Sequence, residues 1–169
     1  MHKFFLLLLL YGCYNYQPEK NISYSDYKEP LIRVNKYLVD KDSLLIEEYC
    51  KRHNLKMNLT KYGLWYKIFH IGQGDSAKPG KVANIIYNLK LLSGKVCYTS
   101  DSLGILSFII GKDEIESGLD KGIRMMREGD SAIFIMPPNL AYGLLGDLEC
   151  IPPRSIIIYE VKLLKITDI

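Results

Sequence analysis

Residues 106–129 read LSFIIGKDEIESGLDKGIRMMREG, and the prediction of the fold starts from this stretch. Its first residues, 106–110, are mostly apolar and predict a β-strand. Residues 115–126 then predict one short helix, which Gly129 ends because glycine readily adopts the backbone conformation that closes a helix. The stretch therefore predicts a strand followed by a single helix.

Six further segments on either side of this stretch have the alternating or continuous apolar pattern of strands. They are residues 57–60, 64–71, 82–92, 95–98, 131–136 and 155–164. Gly63 separates the first two, and Ser93-Gly94 marks a turn between the third and the fourth. The sum is a mostly antiparallel sheet with a single helix, which is an α+β fold.

Composition places the chain among globular proteins and excludes several classes of function. Its 169 residues are 48% hydrophobic and 24% charged, which argues against a wholly disordered or collagenous chain. The formal net charge of +3 is too small for the basic stripe of a nucleic-acid binder. The three histidines are scattered and no glycine-rich phosphate loop occurs, so we expect no metal and no cofactor.

The first residues predict an export signal and a lipid anchor. Residues 1–12, MHKFFLLLLLYG, combine a positive start with an apolar run that is too short to span a membrane. Residues 10–13 resemble a bacterial lipobox, which implies cleavage after Gly12 and a lipid on the Cys13 sulfur. The alternative is an ordinary buried N-terminal segment in which the cysteine is incidental.

Two further segments precede the sheet domain, which we place at residues 55–169. Residues 13–28 are polar and predict a flexible tether. Residues 29–54 have apolar side chains at helical spacing and predict two short amphipathic helices, the second capped by Asp42 or Ser43. Such helices must pack on each other, on the domain that follows, or on a second copy of the chain.

Several short motifs occur together in the C-terminal part of the chain. They are Ile86-Tyr87, Leu92-Ser93-Gly94, Phe108-Ile109-Ile110-Gly111, Glu116-Ser117-Gly118-Leu119-Asp120-Lys121-Gly122, Met126, Gly129-Asp130, Ala141-Tyr142-Gly143, Ile151-Pro152-Pro153 and Ile158-Tyr159-Glu160-Val161. In order and spacing they resemble the FKBP-type peptidyl-prolyl isomerases over residues 64–166. The resemblance implies an FKBP-like antiparallel sheet wrapped around one short helix, here preceded by a short helical segment.

A closer likeness is to the gliding-motility-associated FKBP-type lipoproteins. Those proteins also carry a lipobox, a helical start similar to EPLIR at residues 29–33, and a stretch similar to VCYTSDSLG at residues 96–104. This likeness implies a lipoprotein that lipidated Cys13 anchors to a membrane. We expect it on the periplasmic side or at the outer membrane of a Gram-negative bacterium.

The family resemblance implies cis–trans isomerisation of X-Pro peptide bonds (EC 5.2.1.8). Rotation about a peptide bond faces a barrier of about 18–20 kcal/mol because of amide resonance. The twisted transition state has lost this conjugation and is less polar than the planar amide, so a dry apolar cleft favours it. This mechanism requires no nucleophile, metal or cofactor.

The resemblance also implies which residues form the cleft. Leu119 would lie on its floor, under the proline ring. The Tyr142 hydroxyl and the backbone N–H of Glu116 would donate hydrogen bonds to substrate carbonyls. The side chains carried over as the lining are Tyr87, Leu106, Ile115, Leu119, Tyr142, Ile151 and Tyr159.

Two positions depart from the family pattern. Cys97 and Tyr98 stand where many members have phenylalanine and aspartate, so we expect weak activity or an altered preference for the residue before proline. Cys150 is expected at the opposite rim of the same cleft, which suggests a disulfide with Cys97. Two reduced thiols packed as small hydrophobic side chains are the favoured interpretation, since the sequence does not give the distance between them.

Two functions are compatible with these residues. The leading hypothesis is an isomerase that assists the folding of exported proteins, with proline-containing segments as partners and no nucleic acid. The alternative is a non-catalytic chaperone or assembly factor of a secretion or gliding-motility complex, which would use the same cleft for binding only. Residues 29–54 could also mediate dimerisation.

Overall fold

The computed structural model describes residues 24–169, and their side chains from residue 28 onward. The predicted signal peptide (residues 1–12), the Cys13 lipid anchor and the first part of the predicted tether therefore lie outside the described residues. Among the helices that the structure describes, none is both long enough and apolar enough to cross a membrane.

The described elements are a long N-terminal helix followed by short strands and helices. In chain order they are α1 (Tyr24–Arg52), β1 (Asn58–Leu59), β2 (Trp65–His70), β3 (Val82–Leu91), β4 (Val96–Thr99), α2 (Ser100–Leu103), β5 (Leu106–Ile109), α3 (Ser117–Ile123), β6 (Ser131–Met136), a 3-10 turn (Pro138–Leu140) and β7 (Ile157–Thr167). The sequence does not predict α2 or the 3-10 turn. The predicted strands and α3 agree with the observed bounds to within three residues at each end.

The strands form one antiparallel sheet in the order β1-β2-β6-β7-β3-β4. β4 and β5 pair with successive parts of the same edge of β3, through Asn88↔Thr99 and Ile85↔Leu106. Between β4 and β5 the chain leaves the edge of β3 and forms α2. The predicted α+β fold, an antiparallel sheet with one short helix against it, is confirmed.

Two glycines one helical turn apart let α3 approach the sheet closely. A Cβ on Gly118 would lie 2.7 Å from the Met136 Sδ, and a Cβ on Gly122 would lie 2.8 Å from the Phe134 ring. Both distances are shorter than van der Waals contact, so a side chain at either position would push α3 away from β6. Glycine at these two positions is thus a packing requirement of the helix.

We expect Gly122→Ala to lower the free energy of unfolding by about 2 kcal/mol. The added methyl group overpacks the contact with Phe134, and this outweighs the advantage of about 1 kcal/mol that alanine has over glycine in a helix. Denaturant unfolding followed by Trp65 fluorescence measures the change. Ser117→Ala in the same helix is the control and should change stability by less than about 0.5 kcal/mol. A Gly122→Ala variant as stable as the wild type would contradict the packing argument.

The prediction of two short N-terminal helices is wrong, because α1 is continuous from Tyr24 to Arg52. It also includes residues 24–28 of the predicted tether. Asp42, a predicted cap, lies inside α1, is 7% exposed and accepts hydrogen bonds from Arg154 Nη2 at 2.8 and 3.0 Å. The partner is 112 residues away, so the local sequence could not show that this carboxylate pairs instead of capping.

The C-terminal part of α1 packs on the sheet domain, which was one of the predicted alternatives. Ile46, Tyr49 and Cys50 are buried in a cluster with Ile135 and Ile158. Successive strand residues point to opposite faces of a sheet. The neighbours Phe134 on β6 and Tyr159 on β7 belong to the other cluster, with α3. The sheet therefore has a core on each face.

Candidate active site

An open cleft of about 420 Å³ lies where β3, β5 and β7 meet the segment before α3 and the loop after the 3-10 turn. Its walls combine aromatic, aliphatic and acidic side chains. They are Tyr87, Leu106, Asp113, Glu114, Ile115, Glu116, Tyr142 and Tyr159. Five of these residues are among the lining side chains that the family resemblance implies.

Strand register brings together the two aromatic cleft residues that lie on strands, Tyr87 and Tyr159. β3 and β7 pair so that Tyr87 faces Val161 and Leu89 faces Tyr159. The Tyr87 and Tyr159 rings consequently lie 5.7 Å apart between centroids, tilted by 46°. Tilted aromatic pairs at this distance are favourable, so the two rings form a firm apolar wall.

The loop that carries Tyr142 is held by backbone hydrogen bonds. The N–H of Gly143 donates to Pro138 at 2.8 Å, and the N–H of Arg154 donates to the Gly143 carbonyl at 3.1 Å. The N–H of Ala141 also donates to the Pro138 carbonyl, at 3.1 Å, so the chain is held on both sides of Tyr142. A loop ordered in this way can present a hydroxyl in a constant position.

The structure places Leu119 and Ile151 in the core on which the cleft residues pack. Leu119 is 0% exposed and Ile151 is 2% exposed, and neither reaches the surface of the cleft. Both belong to the cluster against which Tyr87, Leu106 and Tyr142 pack. Phe108 also lies in this core, 3% exposed. These side chains support the wall from behind.

The carboxylate of Glu116 is part of the cleft, which sequence reasoning missed. Only the Glu116 backbone N–H was expected to act there. The Tyr159 hydroxyl lies 3.2 Å from each Glu116 carboxylate oxygen and donates to them. Glu116 stands at the N-cap of α3 but makes no capping hydrogen bond with its side chain. The acidic run Asp113-Glu114-Ile115-Glu116 is the signal in the sequence from which a charged wall could have been predicted.

Burial and the Glu116 charge keep the cleft hydroxyls protonated. Burial raises the pKa of Tyr142 and of Tyr159 far above the usual tyrosine value, and the neighbouring Glu116 carboxylate raises both further. Burial also raises the pKa of Tyr87, to which Glu116 adds a smaller effect. All three phenols therefore remain hydrogen-bond donors throughout the physiological pH range. The Glu116 N–H donates to no acceptor in the described part of the chain, so it is available to a ligand.

A disulfide joins Cys97 of β4 to Cys150, with 5.6 Å between the Cα atoms. The favoured prediction of two reduced thiols is therefore wrong. The bond forms because strand pairing and the fold of the 141–151 loop bring together two residues that are 53 positions apart. Their Cα separation is within the range that disulfides require.

Tyr98 provides a second link between β4 and the same loop. Its hydroxyl donates to the Asp147 carboxylate and, at 3.4 Å, to Glu149. The hydrogen bond to Asp147 is the main reason that the pKa of Tyr98 rises to about 12. Burial by itself would raise the pKa of Asp147, but hydrogen bonds from Tyr98 and from the N–H groups of Glu149 and Ile151 lower it overall. The Cys97-Tyr98 pair thus fastens the loop at the rim.

Comparisons with known proteins agree with this fold. The family model for FKBP-type peptidyl-prolyl cis-trans isomerases matches residues 74–164. The probable FKBP-type peptidyl-prolyl cis-trans isomerase of Haemophilus influenzae is 32% identical over 120 residues, which cover 70% of this chain and 48% of that protein. The isomerase FkpA of Escherichia coli is 31% identical over 121 residues, covering 71% of this chain and 43% of that protein. The chain thus spans less than half the length of these curated relatives.

Solved structures show the same architecture. The crystal structure of AtFKBP13 superposes with a TM-score of 0.63 at 30% identity, covering 65% of this chain and 98% of that one. The crystal structure of FkpA from Escherichia coli gives a TM-score of 0.65 at 24% identity, covering 88% of this chain and 75% of that one, and shows the fold alone. With the family model matching more than half of its length, the chain belongs to the FKBP-type peptidyl-prolyl cis-trans isomerase family.

Proposed function

We propose that the cleft catalyses cis–trans isomerisation of X-Pro bonds. The observation that carries the proposal is the cleft itself. Tyr87, Leu106, Ile115 and Tyr159 form an aromatic and aliphatic pocket in the domain that matches the family, with the Tyr142 hydroxyl at its edge. Such a pocket suits a proline ring, and the hydroxyl supplies a fixed donor for a carbonyl next to it.

Catalysis in this cleft follows from differential binding of the twisted amide. The planar X-Pro amide is polar and loses hydration when it enters an apolar pocket, whereas the twisted amide has less charge separation to lose. The Tyr142 hydroxyl and the Glu116 N–H orient the peptide on either side of the rotating bond. Because the tyrosine hydroxyl stays protonated, it can act as a donor at any pH at which the protein functions.

We further propose that the clients are exported proteins and that the protein is a lipoprotein anchored through Cys13. The support is the sequence MHKFFLLLLLYGC, which has the pattern of a lipoprotein signal. A lipid on Cys13 would hold the domain at a membrane surface, where newly exported chains pass. Metabolic labelling with a radioactive fatty acid, compared between the wild type and Cys13→Ala, tests the anchor, and a labelled variant would contradict it.

The alternative is a holding chaperone or an assembly factor of a secretion or gliding-motility complex. Leu144, Leu145 and Leu148, on the loop after Tyr142, are 70%, 75% and 91% exposed. Exposed apolar side chains beside a cleft favour binding of unfolded segments.

Tyr37 and Leu44 on α1 are also exposed, at 64% and 60%, which supports dimerisation through this helix as a proposal.

Refolding of a protein limited by proline isomerisation distinguishes the two functions. An isomerase accelerates the slow refolding phase at substoichiometric amounts, whereas a holding chaperone only suppresses aggregation and needs roughly equal amounts. We expect acceleration by the full chain. No acceleration together with stoichiometric suppression of aggregation would reject catalysis and favour the alternative.

Tyr142→Phe is expected to lower kcat/KM for an X-Pro peptide about tenfold. The variant removes one hydrogen bond to the substrate, and a net contribution of about 1–1.5 kcal/mol corresponds to this factor. Tyr37→Phe is the matched control, because Tyr37 is an exposed tyrosine of α1, and it should leave turnover unchanged. If Tyr142→Phe turned over as fast as the wild type, the hydroxyl would have no part in binding the transition state.

A further inference from the structure

The cleft carries negative charge on the wall that precedes α3. Three of its eight lining residues, Asp113, Glu114 and Glu116, are acidic, and none is lysine or arginine. Asp147 lies on the loop after Tyr142, and its charge also acts on the Tyr142 hydroxyl. A chain with a formal net charge of +3 thus has an acidic cleft.

No cation in the described part of the chain neutralises this wall. The ion pairs of the described residues join Lys81 to Asp168, Lys90 to Glu160, Arg124 to Asp120 and Arg154 to Asp42, and none includes a lining residue of the cleft. Lys112 is adjacent in sequence but exposed and unpaired. Within the described residues, no three potential metal ligands are grouped in a way that would hold a metal ion. The negative charge of the cleft wall is therefore available to attract a ligand.

Glu116 is the acid closest to where substrate would lie. Its backbone N–H is the donor expected for a substrate carbonyl, and its carboxylate already faces the cleft beside the Tyr159 hydroxyl. A side chain that flanks the proline would therefore lie near this carboxylate. Apolar aromatic walls screen charges less than water does, so the attraction for a cation is stronger here than on an open surface.

Resting on the proposed isomerase function, we propose that this cleft selects X-Pro segments that carry lysine or arginine next to the proline, with Glu116 as the specificity-determining residue. A cationic side chain gains an attraction to Glu116, Glu114 and Asp113. An acidic side chain in the same place is repelled by them. The preference weakens as salt concentration rises, because the cleft is open to solvent.

Three peptides that differ only in the residue before proline test this preference. Lysine, leucine and glutamate occupy that position, and a second set varies the residue after proline. We expect the full chain to show kcat/KM about fivefold higher for lysine than for leucine in one of the two sets at low salt, and lowest for glutamate. Sodium chloride at 0.5 M has about ten times the ionic strength of a low-salt buffer. At this concentration, kcat/KM for the lysine peptide should exceed that for the leucine peptide by less than about twofold.

The variant experiment compares, within each protein, kcat/KM for the lysine peptide with kcat/KM for the leucine peptide and uses their ratio. Glu116→Gln should reduce this ratio to less than about twofold, because Glu114 and Asp113 retain part of the attraction, and any general loss of turnover cancels in the ratio. Glu48→Gln is the matched control, because Glu48 is an exposed glutamate of α1, and it should keep the wild-type ratio. A ratio that Glu116→Gln leaves unchanged would overturn the role of Glu116.

The outcomes separate this inference from the proposed function. Rapid turnover with equal values for the three peptides in both sets would overturn the charge preference and leave the isomerase function standing. If no peptide is turned over, the isomerase function fails, and the affinities of the same peptides, measured by fluorescence anisotropy, decide the charge preference. Tighter binding of the lysine peptide than of the leucine peptide then supports it, and equal binding rejects it.

Discussion

Replacing Cys97 and Cys150 together with serine is expected to lower the free energy of unfolding by about 4 kcal/mol. The bridge closes a loop between residues that are 53 positions apart, and its removal returns conformational entropy to the unfolded chain. The loop includes β4, β5, α3 and β6. The closed loop carries six of the eight residues that line the cleft, all except Tyr87 and Tyr159, so the effect on stability extends to the site.

Denaturant unfolding with and without reductant measures this contribution. Reductant should destabilise the wild type by about the same amount as the double substitution, and it should leave the double variant unchanged. A thiol assay on the denatured chain adds an independent check, because reduction of the bridge releases two further thiols. The same thiol count before and after reduction would show that the bridge is absent.

The second large effect is expected from Leu119→Ala, which should lower the free energy of unfolding by about 3 kcal/mol. Leu119 is 0% exposed, so the substitution leaves a cavity between α3 and the sheet. The cavity lies in the core that supports the Tyr87 and Tyr142 side chains. We therefore also expect a lower kcat/KM at temperatures where the variant remains folded.

Two controls distinguish a cavity from loss of a leucine in general. Leu144→Ala removes a leucine that is 70% exposed and should change stability by less than about 0.5 kcal/mol. Leu119→Met conserves volume and should cost less than about 1.5 kcal/mol. If Leu119→Ala and Leu144→Ala had the same stability, Leu119 would not be the packed core side chain that the structure shows.

Strands and turns of this protein could be predicted well because their signals are local. Residues 131–136 were predicted as a strand and are β6, and residues 82–92 differ from β3 by one residue. Alternation of apolar side chains and glycine at turns depend only on near neighbours in the chain. The order of the family motifs can also be read directly along the chain, and the cleft residues Tyr87 and Tyr142 were carried over from it.

The errors concern groups whose partners are distant in sequence. Asp42 was one of two predicted helix caps, with Ser43 as the other, but it pairs with Arg154, 112 residues away. For Cys97 and Cys150 two reduced thiols were favoured over the disulfide that was also considered, because the sequence does not give the distance between them. In both cases the local pattern allowed two outcomes, and the tertiary contact selected one of them.

The sequence by itself determined the family, the strands and the aromatic side chains of the cleft, since periodicity and ordered motifs carry this information along the chain. Only the tertiary structure decided how the charges and thiols are used. It turned the Glu116 carboxylate toward Tyr159, left the acidic wall without a cation among the described residues, and joined β4 to the 141–151 loop. Electrostatic and covalent partners are set by distance in space, which the spacing of residues along a chain does not reveal.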